Sequence, residues 1–138
     1  MEMHKPTGQR HGRILVVDDD PEVRKVLVHH LTKAGYEVVE TTDGEEGIRA
    51  IKSDDNPFMV DTIICDMNMP KINGKDAVAY FRSHCPAVPV IVLTGYPDTD
   101  LAVAFMKQGV SDYLIKPVTK ETLLAAVKHA VDQHVYTN

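Results

Sequence analysis

Residues 14–35 read ILVVDDDPEVRKVLVHHLTKAG, and this stretch decides the fold. Ile14-Leu15-Val16-Val17 is a short apolar run without polar alternation, as a strand buried on both faces of a parallel sheet requires. Three acids follow at once, Asp18, Asp19 and Asp20. Val23, Val26, Leu27 and Leu31 then recur at spacings of three and four, which describes one face of a helix. Pro21 falls where a first helical turn tolerates it, and Gly35 falls where a helix stops. The unit is strand, acidic loop, helix.

The same unit recurs along the chain. Glu37–Thr41 reads as a second, more exposed strand, followed by a helix from about Glu45 to Lys52 that SDDNP ends. Thr62-Ile63-Ile64-Cys65 is a third strand, with a helix from about Lys75 to His84. Val88 to Leu93 is a fourth, with a helix from about Thr99 to Gln108. Tyr113-Leu114-Ile115 is a fifth, and the last helix starts near Thr119 with Leu124, Val127 and Val131 on one face. Strand-helix alternation of this kind predicts a parallel sheet covered on both faces through right-handed crossovers. The fold class is a doubly wound α/β domain.

Length and composition fit one such domain. The chain has 138 residues, 43% hydrophobic and 25% charged, with no repeat or low-complexity tract. Residues 1–12, MEMHKPTGQRHG, are polar and are expected to be a flexible segment ahead of a domain spanning 13–138. They lack the apolar stretch of a signal peptide, and no apolar run reaches the roughly 18 residues of a membrane helix, so a cytoplasmic location is expected. Twenty acidic residues against 15 basic ones argue against direct nucleic-acid binding, which needs a dense basic face. Cys65 and Cys85 make no CxxC pair and no disulfide framework.

Ligands of doubly wound sheets bind beyond the carboxyl ends of the strands. Those ends carry Asp18, Asp19 and Asp20 after the first strand, Asp66 after the third, Thr94 after the fourth and Lys116 after the fifth. Crowded carboxylates demand a counter-charge, and a hard divalent cation such as Mg²⁺ takes one or two carboxylates with water and phosphate oxygens. Lys116 is placed to pair with a carboxylate or phosphoryl oxygen, and Thr94 to donate a hydrogen bond to one. Together these groups describe phosphoryl transfer, with an aspartate as covalent acceptor.

Four segments, ILVVDDDPEVR, IICDMNMPKINGKD, VIVLTGY and DYLIKP, closely resemble the receiver domain of two-component response regulators, from about Arg13 to His134. The resemblance implies a flavodoxin-like five-stranded sheet of order 2-1-3-4-5 with five helices. It implies Asp66 as phosphoacceptor, and Mg²⁺ held by Asp18, Asp19, Asp66 and the backbone carbonyl of Asn68. It assigns Thr94, Tyr113 and Lys116 to phosphoryl contact and switching, and a cis peptide to Lys116-Pro117. The implied route is transfer from a sensor histidine kinase or phosphotransfer protein to Asp66. The implied output is a switched surface on the fourth helix, fifth strand and last helix, read by an effector protein, a linked output domain or a phosphorylation-dependent homodimer. Asn68 and Tyr96, two residues beyond Asp66 and Thr94, flank the path of the hydrolytic water in this family. Tyr96 is expected to hinder that water.

Two other readings compete. Asp18-Asp19-Asp20 after four apolar residues also fits the hhhhDxD start of a haloacid-dehalogenase-like phosphatase, with Asp18 as nucleophile and Asp20 as acid. That leaves DMNMP unexplained, and only Glu121 and Asp132 follow Lys116 as further acids. A degenerate receiver acting as a phosphorylation-independent interaction module is the second, against which the intact set of Asp18, Asp19, Asp66, Thr94 and Lys116 argues. The seven histidines show no metal-ligand spacing, and His30 is expected to pack in the core.

Overall fold

The computed structural model describes residues 12–69 and 72–137. Residues 1–11 of the expected flexible segment, and Pro70 of the DMNMP motif, lie outside the described residues. The elements run β1 (Arg13–Val17), α1 (Pro21–Lys33), β2 (Glu37–Thr41), α2 (Gly44–Lys52), α3 (Asn56–Met59), β3 (Val60–Asp66), α4 (Gly74–His84), β4 (Val90–Thr94), α5 (Thr99–Lys107), β5 (Asp112–Ile115) and α6 (Lys120–Thr137). The strands form one parallel sheet in the order β2-β1-β3-β4-β5.

Every residue of β1, β3 and β4 is buried, which accounts for their unbroken apolar runs. Strand alternation divides their side chains between two cores. Ile14, Val16, Ile64, Ile91 and Leu93 pack with Leu27 and Leu31 of α1 and with Leu123, Val127 and Val131 of α6. Leu15, Val17, Ile63, Cys65, Val90 and Val92 pack on the other face with Ile51 of α2, Ala77, Val78 and Phe81 of α4, and Phe105 of α5. Because Cys65 belongs to this second core, the next residue, Asp66, reaches the strand end facing the opposite way.

Four expectations need correction. Among the described residues there are six helices rather than five, because α3 occupies part of the SDDNP segment expected to end the second helix. Pro57 sits in its first turn, where a missing N–H costs nothing. Buried Asn56 holds it down, donating from Nδ2 to Ala50 O at 2.8 Å and accepting from Arg13 Nη1 at 2.9 Å. β3 therefore starts at Val60, two residues before the expected Thr62. β4 starts at Val90 rather than Val88, since Pro89 offers no N–H to a ladder, while its carbonyl accepts from Ile63 N–H at 3.0 Å. His30 is half-buried rather than a core residue, because Leu27 and Leu31 alone complete the fully buried stripe of α1.

The sheet edge extends one residue beyond β1. Gly12 is buried, and its carbonyl accepts from Glu37 N–H at 2.9 Å.

Candidate functional site

The strand ends place the site. Asp18 leaves β1 fully buried, its N–H donating to Thr41 O at 3.2 Å. Asp66 is the last residue of β3 and is 2% exposed; Thr94 is the last of β4 and equally buried. Lys116 follows β5, and its N–H donates to Thr94 O at 2.7 Å, extending the ladder by one bond.

Lys116 Nζ lies 3.0 Å from Asp66 Oδ1 and 3.2 Å from Asp18 Oδ2. Oxygens of Asp18, Asp19 and Asp66 all fall within 4.8 Å of one another. One ammonium therefore pairs with two members of a cluster of three carboxyl groups. Burial pushes the Asp66 carboxyl up to about 6; the bond from Lys116 opposes this, and the charge of Asp18 adds to it. Burial also raises Asp18, against the N–H of Asp20 and the charge of Lys116. For Lys116, burial acts downward, but the bond to Asp66 and the charges of both carboxylates win, so its pKa is raised.

The residues present fit a hard divalent cation. Asp18 Oδ2 is buried, with the ionic approach of Lys116 but no well-directed hydrogen bond among the described residues. An all-oxygen donor set with excess negative charge is what Mg²⁺ or a similar ion takes. The backbone N–H of Asn68 favours the ionised form of the Asp66 carboxyl that such an ion needs.

The other expected residues stand around this pocket. The Thr94 hydroxyl donates to Tyr96 O at 3.2 Å and accepts from Tyr96 N–H at 3.0 Å, so it is engaged in its own loop. Tyr96 itself is 79% exposed. The half-buried Tyr113 accepts from Asp98 N–H at 3.3 Å through its hydroxyl, and its ring centroid is 6.3 Å from that of Phe105. Lys116-Pro117 is cis. Asp20 caps α1, accepting from Glu22 and Val23 N–H at 2.9 and 3.3 Å, which removes it from the role of catalytic acid.

Two residues of the site escaped sequence reasoning. Arg24 Nη1 donates to Asp18 O at 2.7 Å; its only sequence signal is a cation within reach of the acidic loop. Gly74 opens α4 so close to the acceptor loop that a Cβ there would collide with Asp66 O and Met67 Cα. That glycine stands in the D-x-x-MP-x-x-x-G motif, so its signal was present, without its reason.

A doubly wound sheet whose strand ends gather a carboxylate trio, a hydroxyl and one ammonium defines a phosphoacceptor signalling class rather than a conventional enzyme. The chain belongs to the response regulator receiver domain family, whose model matches residues 14–128. It is 38% identical over 130 residues to the transcriptional regulatory protein GlrR of Escherichia coli K12, covering 94% of this chain and 27% of that protein. It is 38% identical over 122 residues to the transcriptional regulatory protein PrrA of Mycobacterium tuberculosis, covering 88% of this chain and 51% of that one. The chain thus spans about a quarter to a half of these relatives. A crystal structure of a receiver domain protein from Clostridium thermocellum superposes with a TM-score of 0.85 at 34% identity, covering 92% of this chain and 99% of that one. Among the described residues, no helix is long and apolar enough to cross a membrane.

Proposed function

We propose that Asp66 accepts a phosphoryl group from a phosphohistidine of a sensor kinase or phosphotransfer protein, with Mg²⁺ as cofactor. The observation that carries this reading is the Lys116 ammonium bridging Asp66 and Asp18 beside a third carboxylate. An Asp66 oxygen forms the new O–P bond as the N–P bond of the donor breaks and the imidazole leaves. Asp18, Asp19, Asp66 and the Asn68 carbonyl would hold Mg²⁺, which when bound would supply neutralising charge to the transferring group. Lys116 stays beside the acceptor and meets the added negative charge, about −1.5 to −2 at neutral pH.

The switch follows from what the Thr94 hydroxyl does before phosphorylation. It is held by Tyr96 backbone groups; a phosphoryl oxygen on Asp66 offers a stronger, charged acceptor. Turning Thr94 toward it releases the Tyr96 turn, and that loop leads to Asp98, which Tyr113 holds. The surface so altered lies on α5, β5 and α6. It includes Val103, Met106 and Ile115, all about half exposed, around a cavity of about 560 Å³ next to Tyr113. An effector, a linked output domain or a second phosphorylated copy would read it. The two relatives named above are transcriptional regulators, which favours an output in gene control with DNA contacts outside this domain.

Incubation with phosphoramidate or acetyl phosphate and Mg²⁺ tests the reading. Mass-spectrometric mapping is expected to find one phosphoryl group, on Asp66, lost in Asp66→Asn and in the presence of EDTA. An unmodified Asp66 overturns it.

A further inference from the structure

The acidic loop is tied to the sheet by a group that is not itself acidic. Arg24 lies one turn into α1, and its N–H donates to Asp20 O at 2.9 Å. Its guanidinium reaches back over that turn, with Nη1 2.7 Å from Asp18 O and Nε 3.4 Å from Glu40 Oε1 on β2. The Arg24 side chain is only 17% exposed while Glu40 is 51% exposed, so the contact to Asp18 is the sheltered end of this bridge. Asp18 is then gripped on both sides of its backbone, by Thr41 through its N–H and by Arg24 through its carbonyl.

The carbonyl of Asp18 belongs to the peptide that joins it to Asp19. Peptide planarity means that fixing this oxygen also fixes the direction in which Asp19 departs. Asp19 is exposed, and among the described residues no hydrogen bond holds its carboxylate, yet its oxygen lies within 4.8 Å of those of Asp18 and Asp66. Something has to hold that juxtaposition, and among the described residues the bond from Arg24 is the one hydrogen bond that reaches the Asp18–Asp19 peptide from outside the loop.

A guanidinium this near a cation pocket also repels a cation. Its pairing with Glu40 offsets the charge, while the directional bond to Asp18 remains. Geometry therefore outweighs field. We propose that Arg24 is a positioning residue for the divalent-cation site, acting through the Asp18 carbonyl on the placement of Asp19. The inference rests on the Mg²⁺-dependent phosphoacceptor reading given above. Lysine cannot substitute, because one ammonium lacks the planar fork that meets a carbonyl and a carboxylate in two directions.

The test titrates MgCl₂ into the full chain and follows the amide NMR signals of Asp19 and Asn68. Arg24→Ala is expected to weaken Mg²⁺ binding by about 10-fold, in the range found when groups that orient metal ligands are removed. Arg24→Lys is expected to weaken it by nearly as much, despite keeping the charge. In phosphoramidate labelling, the half-saturating Mg²⁺ concentration is expected to rise by the same factor, with the lost rate recovering as Mg²⁺ is raised. Unchanged Mg²⁺ affinity with only a lower Tm would make Arg24 purely structural and overturn the proposal. Tighter Mg²⁺ binding in Arg24→Ala would show that repulsion dominates, and would also overturn it. If Arg24→Ala does not fold, Arg24→Lys decides. A wild-type chain that neither binds Mg²⁺ nor is labelled would instead defeat the underlying reading.

Discussion

The Lys116 ammonium sits 3.0 Å from Asp66 Oδ1 across a separation of 50 residues in the chain. The contact joins the ends of two strands that are not neighbours, since β4 lies between β3 and β5. It stabilises a carboxylate that burial alone would keep protonated, and so holds Asp66 close to nucleophilic form near neutral pH.

Removing that ammonium leaves Asp18 and Asp66 buried together. Lys116→Met is expected to lower stability at pH 8 by roughly 1–3 kcal/mol, less than the full loss from a broken buried pair, because Asp66 can take up a proton. At pH 5 the loss should be clearly smaller. Urea unfolding at both pH values checks this; an equal loss at both would exclude the electrostatic account.

Asp66 also gives the metal-free protein a definite pH dependence. Its carboxyl ionises near 3.8 in an unfolded chain and at about 6 in the fold. Between these values the folded state holds more protons, so stability falls as pH rises through that window and stays lower above it. Asp66→Asn is expected to flatten this slope and to raise stability at pH 7.5 by roughly 1–3 kcal/mol. Denaturation midpoints of both proteins in EDTA, from pH 4 to 8, measure the difference.

A divalent cation should reverse that deficit. Saturation with Mg²⁺ to ten times its dissociation constant is expected to add about 1.4 kcal/mol of stability. Asp19→Asn should remove most of the gain, because it deletes one of three clustered carboxylates while touching no core contact. Thermal unfolding with MgCl₂ or EDTA reads it directly.

Tyr96 is expected to slow hydrolysis of the phosphorylated state. Its ring is largely exposed, but its backbone carries both bonds to the Thr94 hydroxyl, so it moves with that loop. Tyr96→Ala should shorten the phosphorylated lifetime by a few-fold, on the order of 1 kcal/mol in barrier. Decay of labelled wild type and variant settles the matter, and equal lifetimes would refute it.

Gly74→Ala should be far more damaging than its size implies. Its Cβ would meet backbone at Asp66 and Met67, which cannot swing aside as a side chain can. A loss of about 1–3 kcal/mol is expected from the forced backbone shift, with slower labelling of Asp66. A variant of wild-type stability and labelling rate would show that the acceptor loop can move away freely.

Much of this was legible in the chain because it is locally encoded. Buried parallel strands need unbroken apolar runs, so Ile14–Val17 and Ile63–Cys65 declared themselves, and the residues after each run named the pocket. The misread segment is equally instructive. Asp55, Asn56 and Pro57 look like a helix break in isolation, and α3 forms there because Asn56 finds Arg13, 43 residues away, as well as Ala50 in the preceding helix. Asp20 shows the converse: its acid character invited a catalytic role, while the fold uses it as a cap.

The sequence by itself determined the doubly wound class, the identity of the acidic trio and Lys116, and the motif that carries Gly74. Periodicity and strand-end position are short-range properties, and they survive without coordinates. Only the tertiary structure decided that Lys116 spans both Asp66 and Asp18, that Thr94 is held by its own loop, and that Arg24 reaches back to the Asp18 carbonyl. Each of these is a direction rather than a residue type. Directions are set by how separate strands and helices pack, which no local pattern records.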